Sequence, residues 1–138
     1  MNYSSYIDIS AKGFSDVIDI TQKVEAVLRE SGVRDGLITV FVIGSTASIS
    51  TIEYEKGVIQ DLKDAIERIA PSNIPYQHDK QWGDGNGFSH VRASFLKAGL
   101  TIPVIGGSMT LGTWQQLVLI DFDNRPRKRR IAVQVVGD

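Results

Sequence analysis

His78 and His90 are the only imidazoles in this 138-residue chain, and both fall in one polar, glycine-rich stretch, Tyr76 to Ser94. Between them stand Asp79, Trp82, Asp84 and Asn86, interleaved with Gly83, Gly85 and Gly87. Neutral imidazole is the commonest metal ligand in proteins, and two of them with a carboxylate can hold a divalent cation. The carboxylates available for that purpose are Asp79, Asp84 and Glu53. The spacing is neither that of a zinc finger nor that of a helical His-Glu-x-x-His pair, so two other readings stay open. Each ring could simply hydrogen-bond loop backbone, or the pair could do acid–base work without metal, since imidazole titrates near neutrality.

Other residues suit an anionic partner. Gly44-Ser45-Thr46-Ala47 interrupts an apolar run at what should be the carboxyl end of a strand. Small side chains there leave backbone amides open, and the Ser45 and Thr46 hydroxyls add donors for a phosphate or carboxylate. An ordinary strand end or a bulge would look the same. Glu53 is a base, a metal ligand or a surface carboxylate. Trp114 packs in the core or, with Gln115, lines a pocket. Arg125, Arg127, Lys128, Arg129 and Arg130 cluster around Pro126. That cluster reads as a solvated turn, or as a source of one inward arginine that, like Arg92, could hold phosphate.

The elements that must position these groups alternate between β and α patterns. Tyr3–Ile9 and Phe14–Ile20 read as strands turned into a hairpin by Lys12-Gly13, and Thr21 as the N-cap of a helix over about 21–31. Leu37–Ile43 is a central strand and Ser48–Tyr54 another. A second helix carries the stripe Val58, Ile59, Leu62, Ala65, Ile66 and Ile69 and stops at Pro71. Ser89–Lys97 forms a short helix burying Val91, Phe95 and Leu96. Strands follow at 100–105, 108–111, 114–123 and 129–136, with Gly106-Gly107 as a two-residue hairpin turn. The order predicts an α+β fold, a mostly antiparallel or mixed sheet with two or three helices packed on it, in a single domain over 1–138.

Composition narrows the function class. A hydrophobic content of 42% and a charged content of 22% are those of a soluble globular domain. The net charge of −1 argues against nucleic acid as the partner. With no cysteine there is no thiolate chemistry or disulfide framework. Met1–Ser10 lacks a basic start and an apolar core, and no run is long enough to span a bilayer, so a cytoplasmic protein with no membrane contact is expected.

With these residues in view, the chain resembles the YjbQ family, whose members are often described as secondary thiamine-phosphate synthases. The resemblance is carried by Gly44–Ala47, Thr51-Ile52-Glu53, Tyr76–Asp79, Gly85-Asn86-Gly87 with Ser89-His90, and above all by Leu111–Gln115. It implies a YjbQ-like α+β domain that forms homotrimers, with a metal or anion site around histidines near subunit contacts. It also implies a weak transferase activity joining a pyrimidine diphosphate and a thiazole phosphate with loss of pyrophosphate. On that reading His78, His90 and Glu53 are catalytic. His78, His90 and Asp84 would hold a divalent cation, Mg or Zn. Ser45, Thr46, Asn86, Arg92, Trp114, Gln115 and Arg127 would bind substrate. The alternative is a non-catalytic trimeric module that binds a metal or a small anion. One departure stands out: many members carry His-Thr-Thr-Ala where this chain has Gly44-Ser45-Thr46-Ala47.

Overall fold

The computed structural model describes residues 1–138. Its elements run β1 (Asn2–Ala11), β2 (Asp16–Asp19), α1 (Thr21–Ser31), β3 (Gly36–Ile43), β4 (Ala47–Ile52), α2 (Lys56–Ile69), α3 (Gln77–Trp82), α4 (Gly87–Leu96), β5 (Gly99–Ile105), β6 (Ser108–Met109), β7 (Gln116–Asp121) and β8 (Arg127–Gly137). The strands form two antiparallel sheets, a large one in the order β1-β8-β3-β5-β6 and a small one in the order β2-β7-β4. The α+β expectation of antiparallel sheets with helices packed on them is what the chain adopts, with four helices rather than two or three.

Alternation within the strands explains the layering. Ile38, Val40 and Val42 of β3 and Ile131, Val133 and Val135 of β8 turn to one side, where they meet Ile49 of β4 and Leu117 and Leu119 of β7. Strand β7 is apolar on both faces. Its Val118 and Ile120 form a second core with Val17, Ile66 of α2, Ala93 of α4 and Phe122. The result is three layers: large sheet, small sheet, then α2 and α4. An unbroken apolar run is what a strand sandwiched on both faces requires. Each fully buried Leu, Ile or Val contributes about 1.5–3 kcal/mol.

Several expectations are corrected. β1 and β2 do not form a hairpin: β1 pairs with β8 and β2 with β7. Between them Gly13, Phe14 and Ser15 all take left-handed φ values, 81°, 54° and 63°, and this knuckle carries the chain from one sheet to the other. Thr21 is not a helix cap. Ile20 holds that position, while the Thr21 hydroxyl donates to Asp19 and accepts from the Leu117 amide at 2.9 Å, tying α1 to β7. Ile102 and Val104 of β5 are buried between the sheets, so they cannot serve the subunit contact that a trimer would need. The apolar residues turned outward from the large sheet are instead Leu37, Phe41, Ile43, Ile105 and Val136. The Gly106-Gly107 turn is as expected, with φ of 61° and 83° closing β5 onto β6.

Glu55 caps α2 with its own carboxylate, which accepts from the amides of Gly57 and Val58, both at 2.8 Å. Those two bonds, the Gly57 one foremost, hold its pKa below the ordinary glutamate value. A depressed carboxylate stabilises the fold above its unfolded pKa and loses that contribution as pH falls through the folded value. Glu55→Ala is therefore expected to melt below the wild type at pH 7, with the gap closing at pH 3; thermal melts at both pH values check it.

Candidate functional site

The stretch holding both histidines is not one loop but two short helices with a tight turn between them. Pro71 and Pro75 keep the chain out of helix until α3, which Gly83 ends with φ of 68°. α4 then starts at Gly87, where a Cβ would come within 2.6 Å of Tyr76 Cβ. Only glycine lets the start of α4 press against the start of α3, and that contact brings the histidines together. Their ring centroids are 4.6 Å apart, tilted by 37°.

Around His78 the polar groups converge. Its Nδ1 lies 3.3 Å from Asp79 Oδ1 and 3.4 Å from Asp84 Oδ1. The backbone of the same turn orients both oxygens: Asp79 Oδ1 accepts from Gly87 N at 2.8 Å and Asp84 Oδ1 from Asn86 N at 3.1 Å. The three donor atoms lie within 4.8 Å of one another. An ion with bonds of about 2.0–2.1 Å in tetrahedral geometry separates its ligands by roughly 3.3 Å, the spacing of both nitrogen–oxygen pairs. The donor set suits Zn or a harder divalent cation, so the residues fit the group. Without an ion, an Nδ1–H can donate to Asp79 Oδ1, which leaves Nε2 as the acceptor nitrogen of the ring. His90 stacks on His78 instead of adding a nitrogen to the three, and lines a cavity of about 370 Å³ with Val91, Ser94 and Phe95.

Behind the turn lies a buried charge network that sequence reasoning missed. Arg129 forks onto Asp121 at 2.6 and 2.9 Å and donates to Thr46 Oγ1 at 2.6 Å. Thr46 in turn donates to Asp123 Oδ2 at 2.9 Å, which also accepts from Asn86 Nδ2 at 3.2 Å. Arg127 Nε lies 3.1 Å from the same oxygen but is misaligned for a hydrogen bond, so that contact is ionic. Burial pushes the Asp123 pKa up, but the bonds from Thr46 and Asn86 and the charge of Arg127 outweigh it, and the net shift is down. Asn86 Oδ1 accepts from Ser89 and from Asn124 N, and Asn124 Nδ2 donates to Asp84 O at 2.9 Å. Asp123, Asn86 and Asn124 thus fix the backbone that presents Asp84. The signal in the sequence was a pair of aspartates, Asp121 and Asp123, flanking Phe122 at the end of the most apolar strand.

The other sequence candidates divide. Asn86 and Thr46 belong to the network, and Arg127 reaches it through Asp123. Ser45 is exposed beside a cavity of about 430 Å³ lined by Gly44, Ala47, Ala93, Ser94, Lys97 and Ala98. Arg92 is buried on the face of α4 opposite His90, bonded to Ala70 O, Ser15 Oγ and Glu67. Those partners pull the polar side of α4 inward. They correct the expected buried face: Phe88, Ser89, Arg92 and Ala93 are covered, while Val91 and Phe95 are exposed. Trp114 precedes β7 and is exposed, not core. Gln115 bonds Thr51 Oγ1 at 3.1 Å and Gly112 N at 3.0 Å. Glu53 follows the far end of β4, about 20 Å along the strand from Thr46. Within one chain Glu53, Trp114 and Gln115 therefore do not join the histidines.

No helix is long and apolar enough to cross a membrane. Residues 5–138 match the family described as UPF0047 protein YjbQ-like. A UPF0047 protein of Methanothermobacter thermautotrophicus is 38% identical over 135 residues, 98% of this chain and 92% of the relative. The UPF0047 protein YugU of Bacillus subtilis is 31% identical over 88% of this chain and 90% of its own length. Among solved structures, a YbjQ-like protein of unknown function from Sulfolobus solfataricus superposes with a TM-score of 0.90 at 30% identity, covering 100% of both chains. An uncharacterised protein from Clostridium acetobutylicum gives 0.83 at 31%, covering 94% of this chain and 99% of that one. Sequence and fold agree along nearly the whole length, and the chain belongs to the YjbQ/UPF0047 family.

Proposed function

We propose that the chain is a cytoplasmic transferase of the thiamine-phosphate-synthase type, joining a pyrimidine diphosphate to a thiazole phosphate as pyrophosphate leaves. The observation that carries this reading is the His78–Asp79–Asp84 group, whose donor spacing suits a divalent cation. A bound cation would neutralise charge on the departing pyrophosphate. His90, stacked on His78 and facing an open cavity, is placed to hold or pass a proton. Ser45 and the nearby Lys97 offer donors for phosphate oxygens at the adjoining cavity. The outward apolar face of the large sheet supports the homotrimer: an exposed patch of this kind marks a subunit contact. A second copy would also be the means to bring Glu53, Trp114 and Gln115 to the histidines.

The separation of those three residues within one chain, with Gly44 in place of a frequent family histidine, favours the second reading. That is a non-catalytic trimeric module that binds a metal or small anion. The two are separated by assaying thiamine-phosphate formation from the two halves with magnesium, for wild type and His78→Ala/His90→Ala. Turnover that vanishes in the variant is expected. Tight calorimetric binding of cation or pyrophosphate with no turnover in the wild type would favour the module.

A further inference from the structure

Strand β1 lies at the rim of the large sheet, and it pairs with β8 in one unbroken register, from Asn2 opposite Val136 to Ala11 opposite Arg127. The phase of that ladder follows from the bond that Gly137 N donates to Met1 O, one pair before it, at 3.1 Å. In an antiparallel ladder, opposed residues alternate between pairs that exchange hydrogen bonds and pairs that do not. The odd-numbered residues of β1 therefore spend their backbone groups on β8. Asn2, Ser4, Tyr6, Asp8 and Ser10 point their N–H and C=O groups away from the sheet, where no strand or side chain of the protein meets them.

Proteins ordinarily blunt such an edge with proline, lysine, a bulge or brevity. β1 has none of these over its 10 residues, and its one charge, Asp8, is matched by Arg130 at 3.0 Å. The opposite edge of the same sheet, β6, is only 2 residues long. We propose that the β1 edge is an interaction surface for a second copy of this chain, the two β1 strands pairing antiparallel about a two-fold axis at Tyr6. The edge is complementary to itself. With Tyr6 opposite Tyr6, Ser4 falls opposite Asp8 and Asn2 opposite Ser10, so every outward residue of both copies finds a partner for its backbone groups. Sliding the register by two residues leaves Ser10 or Asn2 without one. No like charges meet, and each Asp8 carboxylate faces a Ser4 hydroxyl that can donate to it. At the axis, Tyr6 is 61% exposed beside the Arg130 guanidinium, and the pairing covers it with its own copy as a cross-strand aromatic pair. This contact runs through the sheet edge and leaves the outward apolar face, with Leu37, Phe41 and Ile43, free. A two-fold contact cannot close a ring of three, so it joins trimers in twos.

The test is gel filtration of the full chain with light scattering, which reads assembly mass. Tyr6→Glu and Tyr6→Lys each set like charges against each other at the axis. Each should halve the wild-type mass and keep the wild-type circular dichroism, since the Tyr6 side chain is exposed. An equimolar mixture of the two variants, in which glutamate meets lysine, should restore the full mass. Phe41→Glu, on the face given to the trimer, should break that contact and leave copies paired along β1, so the two contacts are read separately. Tyr6 variants with the wild-type mass, or a mixture that stays at half mass, would overturn the proposal and leave the edge to an extended segment of a different protein.

Discussion

Replacing Arg129 with leucine is expected to destabilise the chain by about 3–5 kcal/mol, the cost of leaving a buried carboxylate without its partner. Arg129 is 7% exposed and Asp121 is wholly buried, so water cannot take over the lost contacts. The guanidinium makes both bonds of the fork and also donates to Thr46, whose hydroxyl holds Asp123. Removing it strands Asp121 in the core and frees the Thr46 hydroxyl, while Asp123 keeps Asn86 and Arg127. At this chain size the loss corresponds to roughly 10–20 °C in melting temperature. Asp121→Leu/Arg129→Leu should recover part of the loss, since apolar replacement removes the stranded Asp121 charge. Recovery stays partial because the Asp123 amide loses its acceptor on Asp121. Acid tests the same network through Asp123. Its lowered pKa adds stability above the ordinary aspartate value of about 3.9 that is lost as pH falls through the folded value. Asp123→Asn should flatten that part of the acid unfolding curve, read by chemical denaturation between pH 2 and pH 6, a range set by these pKa values.

His78→Ala and Asp84→Asn are each expected to weaken divalent-cation binding by about 100-fold or more. Disturbing groups one step removed from a metal already costs about 10–100-fold, so deleting a ligand should cost at least as much. Asp79→Asn carries a second effect, because Asp79 Oδ1 also receives the Gly87 amide that starts α4. Asn86→Ala is the informative contrast. It leaves every candidate ligand in place and removes the side chain that joins Asp123, Ser89 and Asn124. Its loss of affinity should be the smaller, about 10-fold. Glu53→Gln should leave cation affinity of the isolated chain unchanged. Calorimetric titration of the five variants with Zn and Mn reads all of these.

What the sequence made legible was local. Gly106-Gly107 names its hairpin, the apolar run within 114–123 names a strand, and Gly32 after Ser31 ends α1 with φ of 70°. What it hid depends on distant partners. Whether β1 and β2 pair is decided by β8 and β7 competing for them, and the left-handed Gly13–Ser15 knuckle that separates them has no sequence signature at Phe14. Helix α3 is polar up to Trp82 and carries no apolar period to announce it. In α4 the period pointed the wrong way, because Arg92 is drawn inward by Glu67 and the Ala70 carbonyl, groups some 25 positions earlier in the chain. The histidines and both aspartates of the cluster were visible as a group of types in one stretch. The role of Arg129 was not, since a basic run around Pro126 looks the same whether one member is buried or none is.

The measurement that most directly tests the cation site is anomalous diffraction from crystals grown with Zn or Mn. One dominant peak is expected about 2.0–2.3 Å from His78 Nδ1 and from the Asp79 and Asp84 oxygens. A fully occupied peak elsewhere, or none with His78 Nδ1 still bonded to Asp79, would contradict a metal role for this cluster.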